Sequence, residues 1–390
     1  ERVTIPESVM WNGILDSGEV ASDGKYFYYV TATDDNGNLG KTPVYEITVD
    51  NSEPAVEVTP PSESSKIFGG GGKPNITIKQ TGSVEDLWTG TISDVAGNVV
   101  RTWTWENASP ENLVWDGKND FGVAVPEGVY TYRLTSTDKA GNILEPTVVS
   151  NIIYDAIPRS VNMTIKDSPF SPNGDNVKDT LVITPVMSNA TGLINWKIET
   201  LDKAGKILRT WKGTTEPPAV FDYDGKDSNG IVLADGDYQL KYQAQFNNGQ
   251  ESVITRNFSI DKTAPAAFVK TGNSIFSPDG DGRLDTIEIF QETSKEKAWF
   301  AEILDASGQV VKSFEYGEIP PASITWDGTT SENQINDGFY TYKLFATDLA
   351  GNIGQAITNT FELNTGTTEV LLSVSEKAFS PNADKVKDSI

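Results

Sequence analysis

The sequence predicts an all-β fold in which several β-sandwiches follow one another along the chain. Three observations lead to this prediction. A set of motifs recurs about every 100 residues, apolar and polar side chains alternate within each repeat, and no segment keeps an apolar period of 3.6 residues. The alternation predicts strands with one buried and one solvated face, as antiparallel sheets have, and the missing helical period predicts almost no helix.

The repeat is marked by a triplet of an aromatic residue, Asp or Asn, and Gly. The steps between successive copies are 104, 108 and 103 residues, counted from Trp11. An acidic-Gly-x-Tyr motif follows each triplet, and a turn rich in Asp, Asn and Gly comes after that motif. The triplets are Trp11-Asn12-Gly13, Trp115-Asp116-Gly117, Tyr223-Asp224-Gly225 and Trp326-Asp327-Gly328.

The limits of the repeats follow from two further motifs. A Phe-Ser-Pro segment is expected near the start of each repeat, and a segment running from Asp to Pro is expected to close it. These motifs predict the C-terminal half of a repeat in residues 1–55, three complete repeats in residues 56–158, 159–265 and 266–365, and the start of another in residues 366–390. The chain is therefore expected to be a piece of a longer array.

About seven antiparallel strands fit each repeat, separated by Gly, Asn and Asp turns. About 100 residues and seven strands predict immunoglobulin-like β-sandwiches in tandem. The first Tyr of each acidic-Gly-x-Tyr motif (Tyr26, Tyr130, Tyr238, Tyr340) is expected to form a tyrosine corner, with its hydroxyl bonded to nearby backbone. In the repeat at 159–265 the strands are predicted near 162–166, 180–184, 194–201, 206–212, 219–223, 237–246 and 252–260.

Composition excludes several function classes. The 390 residues include no His and no Cys, so a Ser-His-Asp triad, a Cys nucleophile, a thiolate or imidazole zinc site and a disulfide are impossible. The 31 Lys and Arg against 55 Asp and Glu give a net charge of −24, which argues against nucleic acid and anionic membranes as partners. No apolar run is long enough to span a bilayer.

The Phe-Ser-Pro motifs lead into acidic loops with metal-ligand spacing. Oxygen-bearing residues stand at positions 1, 3 and 7 of each loop, a pattern typical of short loops that wrap Ca²⁺. The alternative is a turn whose Asp side chains cap local N–H groups. The copy at residues 68–75 has glycines and no carboxylate, so we expect no ion there. The candidate ligands are Asn173, Asp175 and Asp179; Asp279, Asp281 and Asp285; and Asn382, Asp384 and Asp388.

The motifs resemble those of known bacterial modules. The segment from Trp115 to Leu134 resembles the Ig-like module of flagellar hook-capping proteins, and the Asp-Lys-Thr-Ala-Pro junction at 261–265 is similar to bacterial Ig-like repeat proteins. The Phe-Ser-Pro-Asn-Gly-Asp motif is similar to the start of gliding-motility-associated C-terminal modules. These resemblances imply a bacterial, extracytoplasmic protein of several modules, at the cell surface, secreted or periplasmic.

We therefore expect a non-enzymatic stalk, spacer or adhesive surface, stiffened by Ca²⁺ at the acidic loops, with other proteins or surface glycans as partners. Acids that recur in every repeat indicate structural turns, because an enzyme needs one site. One alternative is a carbohydrate-binding accessory region of a secreted hydrolase, in which the triplet Trp residues or Trp103 and Trp105 would stack on sugars. Burial in the sandwich, or a contact between modules, is favoured for these Trp side chains. A self-assembling scaffold related to hook-cap proteins is the other alternative.

Overall fold

The computed structural model describes residues 7–375 and 377–389. Parts of the predicted incomplete repeats at 1–55 and 366–390, namely residues 1–6, 376 and 390, lie outside the described residues. The fold is all-β, as predicted, and the helical content of the described residues is one 3₁₀ turn at Glu63–Ser65. Three β-sandwiches follow a short opening region. The opening region has two two-stranded sheets, β1 with β4 and β2 with β3. Its strands are β1 Gly24–Tyr28, β2 Thr31–Thr33, β3 Leu39–Lys41 and β4 Tyr45–Val49.

Sandwich I pairs a three-stranded sheet in the order β10-β7-β5 with a five-stranded sheet in the order β6-β12-β11-β8-β9. The pairing is antiparallel except between β6 and β12. Its strands are β5 Val56–Thr59, β6 Ile67–Phe68, β7 Ile76–Gly82, β8 Glu85–Ser93, β9 Val99–Ala108, β10 Leu113–Trp115, β11 Gly128–Ser136 and β12 Thr147–Tyr154.

Sandwich II has sheets in the order β13-β14-β17 and β16-β15-β18-β19. All seven strands predicted for this region are confirmed, and β14 runs to Met187, beyond its predicted end at 184. The strands are β13 Val161–Lys166, β14 Leu181–Met187, β15 Leu193–Leu201, β16 Ile207–Gly213, β17 Phe221–Tyr223, β18 Gly236–Phe246 and β19 Glu251–Ile260.

Sandwich III has a three-stranded sheet in the order β20-β22-β25 and a six-stranded sheet in the order β21-β28-β26-β23-β24, with β27 also paired to β26. The strands are β20 Ala267–Thr271, β21 Ile275–Phe276, β22 Ile287–Thr293, β23 Trp299–Asp305, β24 Val310–Tyr316, β25 Ser323–Trp326, β26 Gly338–Thr347, β27 Ile353–Ile357 and β28 Phe361–Leu363.

Each sandwich closes its own apolar core. Alternate residues of β11, β18 and β26 point inward, and each core contains one buried Trp from β8, β15 or β23, namely Trp88, Trp196 and Trp299. The tyrosine corners are present as predicted. Each hydroxyl donates to the carbonyl oxygen four residues earlier, over 2.5–3.1 Å, from Tyr26, Tyr130, Tyr238 and Tyr340 to the carbonyls of Ser22, Pro126, Ala234 and Asn336.

The Phe of each Phe-Ser-Pro motif, or of its glycine-rich equivalent, adds a parallel pairing that the antiparallel pattern did not predict. Phe68 and Phe276 lie in short strands parallel to β12 and β28, and Phe170 forms a parallel bridge to Ile260. All three rings are fully buried. Burial of the ring draws the start of the acidic loop against the last strand of its own sandwich, so the loop lies where the chain leaves for the next sandwich.

Candidate cation loops and the contacts between sandwiches

The acidic loop at 279–285 is built around the carboxylate of Asp285. Gly280, Gly282 and Leu284 have φ values of +84°, +84° and +53°, so left-handed residues alternate along the loop. This alternation turns the N–H groups of Gly280 and Gly282 toward the two oxygens of Asp285, over 2.9 and 3.0 Å. Such concave backbone is an anion-binding nest, and here the loop fills it with its own seventh residue.

Asp279 and Asp281 hold their first oxygens on the loop and leave their second oxygens outward. Asp279 Oδ1 accepts the N–H of Asp281, and Asp281 Oδ1 accepts the N–H of Arg283. No donor among the described residues reaches Asp281 Oδ2, and Asp279 Oδ2 has only a long 3.5 Å contact from Ser277 Oγ. One oxygen from each of Asp279, Asp281 and Asp285 lies within 4.8 Å of the others. The three side chains cap N–H groups of their own loop, as the turn alternative predicted. They also bring carboxylate oxygens together in the way a hard cation requires, and the Ca²⁺ role stays a prediction.

The two loops that begin with Asn have the same backbone and a different balance of charge. Left-handed residues again occupy positions 2, 4 and 6, and the carboxylate of Asp179 or Asp388 accepts two backbone N–H groups. Asn173 Nδ2 donates to Asp175 Oδ2 over 3.0 Å, and Asn382 Nδ2 donates to Asp384 Oδ2 over the same distance. In these two loops the Asn side chain therefore donates to the second oxygen of the Asp at position 3. The matching oxygen in the loop at 279–285 is Asp281 Oδ2, which has no donor among the described residues.

The Asp155 carboxylate, at the junction between sandwiches I and II, forms a buried ion pair with Arg159. Arg159 donates from Nη2 and Nη1 to its two oxygens, over 2.7 and 3.1 Å, and the side chain of Arg159 is almost fully buried. A planar guanidinium matches a carboxylate in this bidentate way. Both carboxylate oxygens of Asp155 are therefore bonded to Arg159, and Asp155 is not a ligand of the acidic loops.

Many of the other Asp residues bond to the backbone of their own turns. Asp94 Oδ1 accepts the N–H groups of Ala96 and Asn98, and Asp94 Oδ2 accepts the side-chain amide of Asn98. Asp34 and Asp138 repeat the arrangement with Asn38 and Asn142. Donation from the Asn side chain lowers the pKa of all three carboxyl groups. Much of the negative charge is thus fixed in turns as a structural acceptor.

The triplet aromatics of the three sandwiches are core residues. Trp115 and Tyr223 are fully buried and Trp326 is nearly so, while Trp11 in the opening region is about half exposed. Trp103 and Trp105 are half-buried and pack against the core of sandwich I. The burial of Trp115 and Trp326 confirms the interpretation that the triplet Trp side chains of sandwiches I and III belong to the cores. Stacking on a sugar would require an open ring face, which neither of these two rings has.

Sequence reasoning missed the residues that join neighbouring sandwiches. In each of the three sandwiches, an Asn in the turn that follows the acidic-Gly-x-Tyr strand donates its side-chain amide to the junction Asp of the preceding unit. Asn142 reaches the carbonyl oxygen of Asp50 over 3.1 Å, Asn248 that of Asp155 over 3.0 Å, and Asn352 that of Asp261 over 2.9 Å. The motif repeats visibly in the sequence, but its partner lies 91–93 residues away, and no local pattern indicates that partner.

Comparison with known proteins supports the fold assignment. The model of the FlgD Ig-like domain matches residues 62–140 and 279–349, which confirms the resemblance to the hook-capping module in parts of sandwiches I and III. The similarity of the Phe-Ser-Pro motif to gliding-motility modules stays a prediction. No curated protein sequence matches the chain. Among the described residues, no helix has the length and apolar character needed to cross a bilayer.

Several solved structures are similar to this chain, all at low sequence identity. A tetra-tandem repeat from the extending region of a large adhesion protein is 18% identical, with 89% of this chain and 83% of that one covered and a TM-score of 0.31. A Ca²⁺-stabilised adhesin with which an Antarctic bacterium binds ice is 14% identical, with coverages of 87% and 81% and a TM-score of 0.33. A structure concerning host surface retention of a 1.5-MDa bacterial ice-binding adhesin is 11% identical, with coverages of 80% and 99% and a TM-score of 0.32. Superpositions at these TM-scores carry no conclusion about function.

Proposed function

We propose that this chain is a non-enzymatic, extracytoplasmic array of Ig-like modules, bounded at 56–158, 159–265 and 266–365, that serves as a stalk or spacer and offers its surface to proteins or glycans. The observation that carries the proposal is that the recurring polar residues have structural roles. The repeated Asp side chains accept N–H groups of their own turns, and each sandwich closes its own core. An active site would need convergent groups in one place, whereas here the same groups serve the same turn in successive units.

The interpretation as an array is favoured over a glycan-binding accessory region by the buried Trp residues. Carbohydrate platforms require an open aromatic face, and Trp115 and Trp326 offer none. The bacterial exterior as location rests on the resemblance to the hook-capping module and to bacterial surface repeats.

Scattering from the whole chain tests the proposal. We expect light scattering to give the mass of one chain at every concentration tested, and small-angle X-ray scattering to give an elongated particle with three globular units. A mass that rises with concentration would instead favour the self-assembling scaffold. Specific binding on a glycan array, lost when an exposed aromatic such as Phe121 is replaced, would favour the carbohydrate-binding alternative.

Ca²⁺ at the loop 279–285 is the second part of the proposal. The carboxylates of Asp279 and Asp281 lie close together, and their hydrogen bonds to the loop backbone use only their first oxygens. A divalent cation bound to the second oxygens would offset the two negative charges. Asp285 would add an oxygen while keeping its N–H partners, and waters would complete the shell. For Asn173, Asp175 and Asp179, and for Asn382, Asp384 and Asp388, the metal assignment stays a prediction, since their amides already occupy the equivalent oxygen.

The Asp279→Asn variant tests this loop. We expect calorimetric titration to show Ca²⁺ binding by the unchanged chain and binding weakened roughly tenfold or more in the variant, because one charged ligand is lost and the new amide can bond Asp281. Asp35→Asn is the matched control, since it removes the same charge from an exposed turn. Equal Ca²⁺ affinity in Asp279→Asn and the unchanged chain would contradict the assignment, and so would the absence of heat at millimolar Ca²⁺ in the unchanged chain.

A further inference from the structure

We infer that sandwiches I and II each carry a docking joint, in which a loop at the exit end of the sandwich receives the Asn-containing turn of the next sandwich, and that this joint fixes the angle between neighbours without any metal. The inference deepens the proposed stalk function and rests on it. For sandwiches I and II the receiving loop is the glycine-rich segment 69–73, and the incoming turn is 247–250. We call these two segments the socket and the plug.

Main-chain hydrogen bonds join the socket to the plug. Gly70 N–H donates to the carbonyl of Asn248, and Gly72 N–H donates to the carbonyl of Gly249, both over 2.9 Å. Lys73 Nζ donates to the carbonyl of Asn247 over 2.9 Å. Asn248 is fully buried and its amide donates back to the carbonyl of Asp155, at the exit from sandwich I. Asn247 Oδ1, also in the plug, is buried without a hydrogen-bond partner among the described residues. The groups that are paired favour this one geometry, because another arrangement would leave them unsatisfied.

The glycines of the socket are explained by how closely the two backbones approach. A Cβ atom on Gly70 would lie 2.6 Å from the backbone nitrogen of Gln250, and one on Gly72 would lie 2.6 Å from the carbonyl oxygen of Gly249. Neither glycine has a left-handed φ, so the reason for glycine is proximity. A Cβ atom on Gly71, which lies between them, would meet no other atom within 4 Å. The segment that lacks carboxylates thus has its own task, which is to receive the plug.

The joint between sandwiches II and III is made of different residues in the same places. The amide nitrogen of Asn352, which is buried, donates to the carbonyl of Asp261, and Ser171 Oγ donates to Asn352 Oδ1 over 2.6 Å. Lys178 Nζ, in the Asn173 loop, donates to the carbonyl of Leu349 over 2.6 Å. A loop at the exit end again receives a turn, and the Asn again reaches the junction Asp. The two joints share the bond from the Asn amide to the junction Asp and a Lys donor from the receiving loop, although the loops differ in sequence and in their other contacts. These shared contacts argue for a selected geometry of the joint.

Hydrogen bonds within the incoming turns hold the Asn side chains in place. Asn352 Nδ2 has two hydrogens: one is held by Asp348 Oδ2 within the turn, over 2.8 Å, and the other crosses to Asp261. Asn142 is held in the same way by Asp138. In the plug of sandwich II, Asn248 Oδ1 instead accepts the N–H of Gln250. Because the amide plane is fixed in the free turn, docking loses little rotamer freedom.

Spin-label distances across the first joint test the inference. The chain has no Cys, so labels can be placed at two new cysteines only, at the half-exposed strand positions Val114 in sandwich I and Val186 in sandwich II. We expect one narrow distance distribution in the otherwise unchanged chain. Gly72→Ala and Asn248→Ala should broaden it at least twofold, and Gly71→Ala, in the same loop, should leave it narrow.

The possible outcomes separate this inference from the stalk function. A broad distribution in the labelled but otherwise unchanged chain, or a narrow one in Gly72→Ala and Asn248→Ala, would overturn the joint even if the protein remains an elongated monomer. The widths should also be the same with a chelator, since no metal is involved. Hydrogen exchange in the cores of both sandwiches, measured on the same samples, shows whether a broad distribution comes from a loose joint or from an unfolded sandwich. If Gly72→Ala unfolds sandwich I, Asn248→Ala serves as the independent variant.

Discussion

Trp115→Ala is expected to lower the free energy of unfolding of sandwich I by about 3–5 kcal/mol. The indole is fully buried between the two sheets, with its ring centroid 5.0 Å from that of Tyr130 and 5.4 Å from that of Phe68. Its Nε1–H donates to the carbonyl of Lys118 over 2.9 Å, which ties the strand to the turn that follows. Removal leaves a cavity among rings that cannot collapse and leaves the Lys118 carbonyl without this donor.

Hydrogen exchange by mass spectrometry on the whole chain checks this result. Amide protection in Gly128–Ser136 should fall by the corresponding factor, while the peptides of sandwich III serve as an internal reference. Phe121→Ala is the matched control, because this aromatic side chain lies in the same sandwich and is 89% exposed. Its effect should stay within about 0.5 kcal/mol. If Trp115→Ala kept full protection, the triplet Trp would not be a core residue.

Gly117→Ala is expected to destabilise sandwich I by about 2–5 kcal/mol, from two separate causes. Gly117 has a φ of +76°, which disfavours a side chain by about 1–2 kcal/mol. A Cβ atom would also lie 2.2 Å from the ring of Tyr154, and forcing that ring aside costs about 1–3 kcal/mol.

Gly122→Ala separates the two causes. Gly122 has the same φ of +76°, and a Cβ atom on it would meet no other atom within 4 Å, so its replacement should show the backbone cost alone. Urea unfolding of both variants, read from the exchange of sandwich I peptides, gives the difference. Equal losses for the two variants would mean that the contact with Tyr154 contributes nothing.

The sandwiches could be predicted in detail because their determinants are local. Alternation along Gly236–Phe246, the turn residues on either side, and the Tyr238 corner all lie within a few residues of the features they dictate. The acidic loops were found for the same reason, since the side chains at positions 1, 3 and 7 accept backbone N–H groups from positions 2 to 5 of the same loop.

The contacts between sandwiches could not be predicted in this way. Gly70 and Gly72 resemble a flexible linker in the sequence, and only the approach of residues 248–250 gives them a reason. The difference between Asp279 and Asn173 is equally hidden, because the sequence shows a conservative exchange of ligand types. Whether the amide donates to its neighbour or offers its oxygen to a cation depends on side-chain orientation, which spacing does not determine.

The contact between successive sandwiches joins unlike surfaces, an exit loop on one and a turn on the next. A contact of this kind does not close on itself and repeats without limit in one direction. The array therefore has a polarity, and every added module contributes its own intrinsic stability and one more nearest-neighbour term. Adding modules would extend the protein in one direction, and each added joint would need an exit loop and an incoming turn that fit each other.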